Sequence, residues 1–269
     1  MNGVALVTGA ASGIGEATAV KLAADGWTVA AVDIDAAGLA ALGRRVSGVQ
    51  THVCDVSDET AVDSLPAAVG QVDRLVHAAA ISRPCRALEQ PREDVDRIWR
   101  VNFVGTVNIV RAFLPAMVER RRGELVLYSS LDGWVPARNM SAYAASKAAV
   151  NAYAEVLATE CRGSGVKIRC VCPALVDTPL YRQYAAENPE VVAHGRRRTV
   201  VRPSVVVDAV DRSLAGGGLF VFPGAVAKAG VMLRRHCPRL LDRLMPGSGS
   251  ASPPRPNSRL SPSGSAPEG

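Results

Sequence analysis

Short apolar runs alternate with amphipathic stretches along most of this chain. Val4–Thr8 is an unbroken apolar run, as a strand buried on both faces requires. Glu16–Ala24 has helical spacing and stops at Asp25-Gly26, and Trp27–Val32 reads as a second strand ending in Asp33. Further strands are expected at Val49–Val53, Val72–Val76, Glu124–Ser130, Val166–Val171 and Leu219–Phe222. Helical patterns lie between them: Ser57–Val69, Arg92–Arg120 with Asn102 inside it and Pro115 near its end, Ala142–Cys161, and a segment ending at Ala215. This alternation predicts an α/β fold, a doubly wound, mostly seven-stranded parallel sheet with helices on both faces.

The pattern also divides the chain. Residues 1–223 carry the alternation and form one expected domain. Residues 224–245 read as a basic helical extension with Val226, Met232, Leu233, Leu240, Leu241 and Leu244 apolar. Residues 246–269 are rich in Pro, Ser and Gly and are expected to be disordered.

Ligands of doubly wound sheets bind beyond the carboxyl ends of the strands. Asp33, Asp55, Ala78–Ala80, Ser130 and Pro173 all fall at such ends. The turn after the first strand is Gly9-Ala-Ala-Ser12-Gly13-Ile14-Gly15. Glycines let the backbone approach a pyrophosphate, whose charge meets the free N–H groups and dipole of the following helix. Strand, turn, helix, second strand and terminal acid in this order form a Rossmann-like dinucleotide signature. Asp33 is spaced to accept hydrogen bonds from an adenosine ribose, and its carboxylate repels a 2′-phosphate. No Arg or Lys stands in the turn, so NAD is expected over NADP.

The stretch Ser129–Lys147 is the second focus. A strand ends in two serines, a Gly/Pro-containing loop follows, and a helix carries Tyr143 and Lys147 one turn apart on one face. A hydroxyl, a phenol and a cation can polarise a carbonyl and pass it a proton. Ser130 is the expected hydroxyl, because Ser129 is one strand position off and faces away.

Composition narrows the classes. The 269 residues are 48% hydrophobic and 21% charged, enough for a full globular core. No apolar run of membrane-span length is expected, and the first strand begins too near Met1 to leave room for a secretory signal. Six scattered cysteines without a CxxC pair suit reduced thiols and a cytoplasmic location. Cys170 and Cys172 are expected to face opposite ways. The net charge of +6 invites a nucleic-acid reading, but aromatic residues make up only 4% and no basic stripe is interleaved with them, which argues against it. His52, His77, His194 and His236 show no ligand spacing, so no metal site is expected.

Thr8-Gly-Ala-Ala-Ser-Gly-Ile-Gly15, Asn102, Ser130, Tyr143-Ala-Ala-Ser-Lys147 and Cys172-Pro-Ala-Leu-Val-Asp-Thr178 together resemble a short-chain dehydrogenase/reductase of the compact single-domain branch, from about Val4 to Pro223. The resemblance implies catalytic roles for Ser130, Tyr143, Lys147 and Asn102, the last kinking its helix and holding a water for a proton relay. It implies an NAD site lined by Gly9, Ser12, Gly13, Ile14, Gly15, Asp33, Ile34, Asp55, Val56, Ala79, Lys147, Pro173, Val176 and Thr178. Asp55 would meet the adenine amino group, Lys147 the ribose hydroxyls and Thr178 the carboxamide. It also implies a homodimer or homotetramer, paired through the helices of Asn102–Arg120 and Ala142–Cys161. The chain departs from the family pattern at His77-Ala78-Ala79-Ala80, where Asn-Asn-Ala-Gly is common, and at Cys172-Pro-Ala174, where Asn-Pro-Gly is frequent.

The expected reaction interconverts a secondary alcohol and a ketone by hydride transfer. Tyr143 is the acid/base, brought towards working pH by Lys147 and the positive nicotinamide ring. Leu131, Trp134, Val135, Ala137 and Met140 are expected to line one wall of the substrate pocket, with Leu180, Tyr181 and Tyr184 in the lid. Such an apolar pocket suits a hydrophobic skeleton, cyclic ones (terpenoid, sterol or polyketide-like) included. Arg182 and Arg196–Arg198 read either as a solvated charge run or as partners of a substrate carboxylate. The basic extension reads as packing onto the substrate pocket or a neighbouring subunit, with weak peripheral membrane contact as the other reading. Two alternatives use the same frame: an NADPH-type biosynthetic ketoreductase, and a catalytically idle dinucleotide-sensing protein.

Overall fold

The computed structural model describes residues 3–187 and 200–240. Its seven strands are β1 (Val4–Thr8), β2 (Thr28–Asp33), β3 (Val49–Val53), β4 (Arg74–His77), β5 (Gly123–Tyr128), β6 (Val166–Val171) and β7 (Phe220–Val221). They form one all-parallel sheet in the order β3-β2-β1-β4-β5-β6-β7. The winding reverses between β1 and β4, which opens a crevice at their carboxyl ends.

The apolar runs are continuous because both sheet faces are covered. Leu6, Leu75, Leu125, Leu127 and Ile168 point into one core, which they share with α3 (Glu59–Val69), α5 (Gly105–Glu119) and α6 (Ser141–Glu160). Ala5, Val7, Val76, Val126 and Val171 point into the other core. There they meet α1 (Gly13–Ala24), α2 (Ala36–Arg45) and a helix over Pro203–Ala215, α8, which follows α7 (Pro179–Glu187). Each fully buried Leu or Ile in these layers is worth about 2–3 kcal/mol of transfer free energy.

Local chemistry explains where the elements depart from their expected bounds. β4 starts at Arg74 rather than Val72. The Arg74 guanidinium is held by Glu124 at 2.7 Å and Asp211 at 2.9 Å, and it lies over the Trp27 ring. Helix α3 starts after Asp58, whose carboxylate accepts from Ala61 N–H, while the Ser57 hydroxyl donates to Asp55. Helix α2 is weakly patterned, with Leu39 and Leu42 its only fully buried residues, and Asp35 caps it.

The predicted helix over Arg92–Arg120 is three pieces: α4 (Arg92–Trp99), a wide π turn over Arg100–Val104, and α5. Asn102 sits in the wide turn. Arg92–Glu119 is long and apolar enough to pass for a membrane span by length and composition alone, and half of its most apolar stretch is buried inside the fold, as in a core helix. After β7, α9 (Gly224–His236) begins the basic extension. Arg196–Arg198, His194, Leu241, Leu244 and the tail over 246–269 lie outside the described residues.

Candidate active site

Two clefts meet at the carboxyl ends of the central strands. The first, about 560 Å³, is lined by Gly9, Ser12, Gly13, Ile14, Gly15, Asp33, Ile34, Asp55, Val56 and Ala79. The second, about 370 Å³, is lined by Ser130, Leu131, Val135, Met140, Tyr143, Lys147, Pro173, Val176, Leu180 and Tyr184. Ile14, Ala78, Ala80, Thr178 and Leu180 border both, so the two spaces share a wall.

The glycine turn is built for close approach. Gly9 has φ +68°, and a Cβ there would come within 2.8 Å of the Ala79 nitrogen. Gly13 has φ +60°, and a Cβ on Gly15 would run into the Gly9 carbonyl. Ser12 makes no side-chain capping bond, so the first-turn N–H groups of α1 remain directed at the cleft. Asp33 braces this turn, accepting from Ala11 N–H at 2.9 Å through one carboxylate oxygen and from Asp35 N–H at 3.0 Å through the other. A carboxylate has about four acceptor sites, so capacity for a diol is left. Asp55 accepts from Ser57 through Oδ1 alone. An anion-receiving turn with an acid at each of two strand ends fits a dinucleotide.

The β1–β4 junction rearranges the family's tie. The Thr8 hydroxyl oxygen accepts from Ala78 and Ala79 N–H, both at 3.2 Å, which turns its proton towards His77 Nδ1 at 2.8 Å. The lost asparagine side chain at Ala78 is thereby replaced from β1. His77 must carry its own proton on Nε2, which is buried with no hydrogen-bond partner. Burial first, then the Lys147 charge, lowers its pKa to about 3.

In the second cleft, Tyr143 and Ser130 both line the pocket and both are buried. The expectation that Lys147 brings Tyr143 towards neutral pH does not hold for the protein groups themselves. Burial, then the Asp132 charge, raise the phenol well above its usual range, and the Ser130 bond offsets this only in part. Lys147 Nζ donates to the Tyr128 carbonyl at 2.9 Å and lies 5.7 Å from the Tyr143 ring centroid. Its own pKa is lowered to about 8, chiefly by burial. Ser129 borders the cleft too, contrary to the expectation that it faces away, but its hydroxyl donates to the Lys147 carbonyl at 2.9 Å.

Other predicted positions move. Asn102 borders neither cleft. Its Oδ1 accepts from Ile81 N–H at 2.9 Å, and its Nδ2 donates to the Ile81 carbonyl and Ser146 Oγ, each at 3.0 Å. It pins the segment after β4 to α6. Trp134 is not a pocket wall: Nε1 lies 3.4 Å from Cys172 Sγ, and the ring packs edge-on against Phe220 at 4.9 Å. It turns away because the sheet edge at β7 offers it an aromatic partner. Cys170 and Cys172 share a face rather than opposing, as positions two apart on a strand must, and both thiols reach Asn151 Oδ1 at 3.6 Å. Arg182 pairs with Asp177 at 3.0 Å.

Among the lining residues, sequence reading missed Ser82, Tyr128, Asp132 and Leu175 of the second cleft and Glu93, Asp96, Arg97, Arg100 and Val101 of the first. Asp132 could have been found from its place in the loop after Ser130; no local signal marks Ser82. Val226 and Gly230 of α9 also border the pocket, so the extension packs there, as one of its two readings required.

A parallel sheet with this strand order, a glycine turn at its switch point and a buried Ser–Tyr pair beside it is that of a nucleotide-binding oxidoreductase. Residues 3–189 match the short chain dehydrogenase family, and the chain belongs to it. It is 34% identical over 224 residues to "Probable oxidoreductase EphD" of Mycobacterium tuberculosis; the alignment covers 76% of this chain, which spans only 38% of that relative's length. It is 34% identical over 238 residues to the D-threitol dehydrogenase of Mycolicibacterium smegmatis, covering 86% of this chain and 85% of that protein. A short chain dehydrogenase/reductase from Burkholderia phymatum, solved in complex with NAD, superposes with TM-score 0.77 at 25% identity, covering 88% of this chain and 94% of that one.

Proposed function

We propose that the protein is an NAD-dependent oxidoreductase interconverting a secondary alcohol and a ketone on a largely hydrophobic substrate. The observation that carries this reading is the buried Tyr143–Ser130 pair in an apolar pocket that shares a wall with the glycine-turn cleft. When bound, NAD⁺ supplies the hydride acceptor and a positive charge. In the oxidation direction Ser130 donates to the substrate oxygen and Tyr143 takes its proton; in reduction Tyr143 returns it. Lys147, fixed by the Tyr128 carbonyl, presents its remaining N–H groups to the ribose. Asn102 positions α6, and thereby Tyr143 and Lys147, through Ser146.

NAD is favoured over NADP by the run Asp33-Ile34-Asp35, which offers a 2′-phosphate two carboxylates and no cation. Leu131, Val135, Met140, Leu180, Tyr181 and Tyr184 support a hydrophobic substrate, cyclic skeletons included. Six free cysteines suit a cytoplasmic setting. Exposed Val156 on α6 supports a homo-oligomer paired through the helices of Asn102–Arg120 and Ala142–Cys161, with exposed Val95 and Trp99 on the adjoining α4.

The test is NADH formation across simple, terpenoid, sterol and polyketide-like secondary alcohols, with NADP⁺ in parallel. Tyr143→Phe should lower turnover by about 10²–10⁴-fold while NAD⁺ binding persists. Unchanged turnover in that variant would sink the catalytic assignment, and stronger activity with NADP⁺ would move the reading to a ketoreductase.

A further inference from the structure

Helix α9 (Gly224–His236) uses one face to hold itself on the fold and leaves another uncovered. Ala227 is buried, and Gly230 lies against the Leu131 side chain, so this face seats the helix beside the pocket. Helical spacing orders the outer face. Val226 and Leu233, seven apart, form its edge next to the pocket. Ala225, Ala229, Met232 and His236 run along its middle, and Lys228 and Arg235, again seven apart, form the far edge. Val226 is 43% exposed although it borders the pocket, and Met232 is 57% exposed. Leu240, just beyond the helix, is exposed as well.

Residues 224–240 hold Lys228, Arg234, Arg235 and Arg239 and no carboxylate side chain. All four cations are exposed, and among the described residues none of them pairs with an acid. Arg234 and Arg235 also suit the helix C-terminus, whose dipole favours cations. Lys228, two turns back, has no such account. An acidic polymer would match the cations alone. An anionic bilayer matches both parts of the face, its headgroups meeting the cations and its acyl chains the exposed apolar side chains.

We propose that the outer face of α9 docks on an anionic lipid bilayer, with Val226 and Met232 dipping into the acyl boundary and Lys228 and Arg235 against the headgroups. Docking sets the pocket border at Val226 and Gly230 against the bilayer, so that an apolar ligand enters from lipid and not from water. The docking face contains no residue assigned to catalysis or to NAD, so it does not depend on the alcohol–ketone reading.

The experiment mixes the full chain with phosphatidylcholine vesicles, with and without phosphatidylglycerol, and measures the fraction that sediments. Wild type should bind the anionic vesicles, bind pure phosphatidylcholine at least about tenfold more weakly, and dissociate as salt rises. Lys228→Gln/Arg235→Gln should weaken binding by about 25-fold, at about fivefold per cation. Met232→Ser should weaken it by about threefold or more, because an apolar side chain is withdrawn from the acyl boundary. Circular dichroism checks that the variants keep their fold.

Absence of wild-type binding to anionic vesicles overturns the proposal. Undiminished binding by Lys228→Gln/Arg235→Gln also overturns it, placing the contact elsewhere in the chain. Undiminished binding by Met232→Ser does the same, reducing the contact to charge attraction without insertion. Capture by polyglutamate with no vesicle binding assigns the face to an acidic protein. A smaller hydrodynamic size of Met232→Ser, again with no vesicle binding by wild type, assigns it to a second copy of this chain. Vesicle binding by a protein that oxidises no alcohol refutes the proposed reaction and supports the docking face.

Discussion

The Lys147 ammonium donates to the Tyr128 carbonyl at 2.9 Å and stands 5.7 Å from the centre of the Tyr143 ring. The cation is thus held by the last residue of β5 and not by the phenol one turn away. Its charge acts on Tyr143 only through space, and burial, then the Asp132 charge, act in the opposite sense. The protonation of Tyr143 is therefore set by the loop as much as by the helix.

That balance predicts a pH profile. Removing the Asp132 charge stabilises the phenolate and lowers the Tyr143 pKa from its raised position. Oxidation needs the phenolate as base, so the alkaline-directed limb of kcat/KM against pH should move to lower pH in Asp132→Asn. The measurement is a mono-alcohol profile with NAD⁺ at saturation. A limb that stays in place or moves upward contradicts the assignment of Asp132 as the charge opposing Tyr143.

His77 predicts an acid-side loss of stability. Its folded pKa of about 3 lies below the ordinary 6.5, so the unfolded chain binds the extra proton between those values. The contribution is complete above pH 6.5 and fades as pH falls towards 3. This group alone should cost roughly 3 kcal/mol between about pH 7 and pH 4. Urea unfolding at the two pH values should show a smaller difference in His77→Gln, which has no proton to gain.

Gly9→Ala tests the cofactor cradle. The new methyl would meet the Ala79 nitrogen at 2.8 Å in a backbone with φ +68°, so the turn must shift away from β4. A loss of about 1–3 kcal/mol in stability is expected, with weaker NAD⁺ binding by calorimetry. Retained affinity at full stability would remove the turn from the binding site.

Trp134→Ala separates framework from pocket. The ring packs against Phe220 and Phe222 and hydrogen-bonds Cys172, so truncation should destabilise by about 3–5 kcal/mol. Relative kcat/KM values among alcohols should stay nearly constant. Met140→Ala should do the reverse, changing the ranking because Met140 lines the cavity beside Tyr143. A change of ranking in the Trp134 variant would return that residue to the substrate wall.

Much of this protein is legible along the chain. The parallel sheet follows from apolar runs of strand length between helical patterns, since only strands buried on both faces need such runs. The glycine turn, Asp33, Ser130, Tyr143 and Lys147 were identifiable because their chemistry is tied to positions counted from strand ends and helix turns. Those relationships are local, and β-strand and α-helix periods express them directly.

What tertiary structure alone decided involves partners distant in sequence. Trp134 faces Phe220 and not the substrate space because β7 returns beside β6. Val226 and Gly230 reach the pocket mouth only because α9 folds back over the turn at Leu131. Asn102 spends its side chain on Ile81 and Ser146, which no spacing rule foretells. The proton affinity of Tyr143 likewise depends on burial and on the Asp132 carboxylate, quantities that exist only when the loop, the helix and the sheet edge close on one another. Sequence determined which groups meet at the strand ends; packing determined which of them face the substrate, and with what charge.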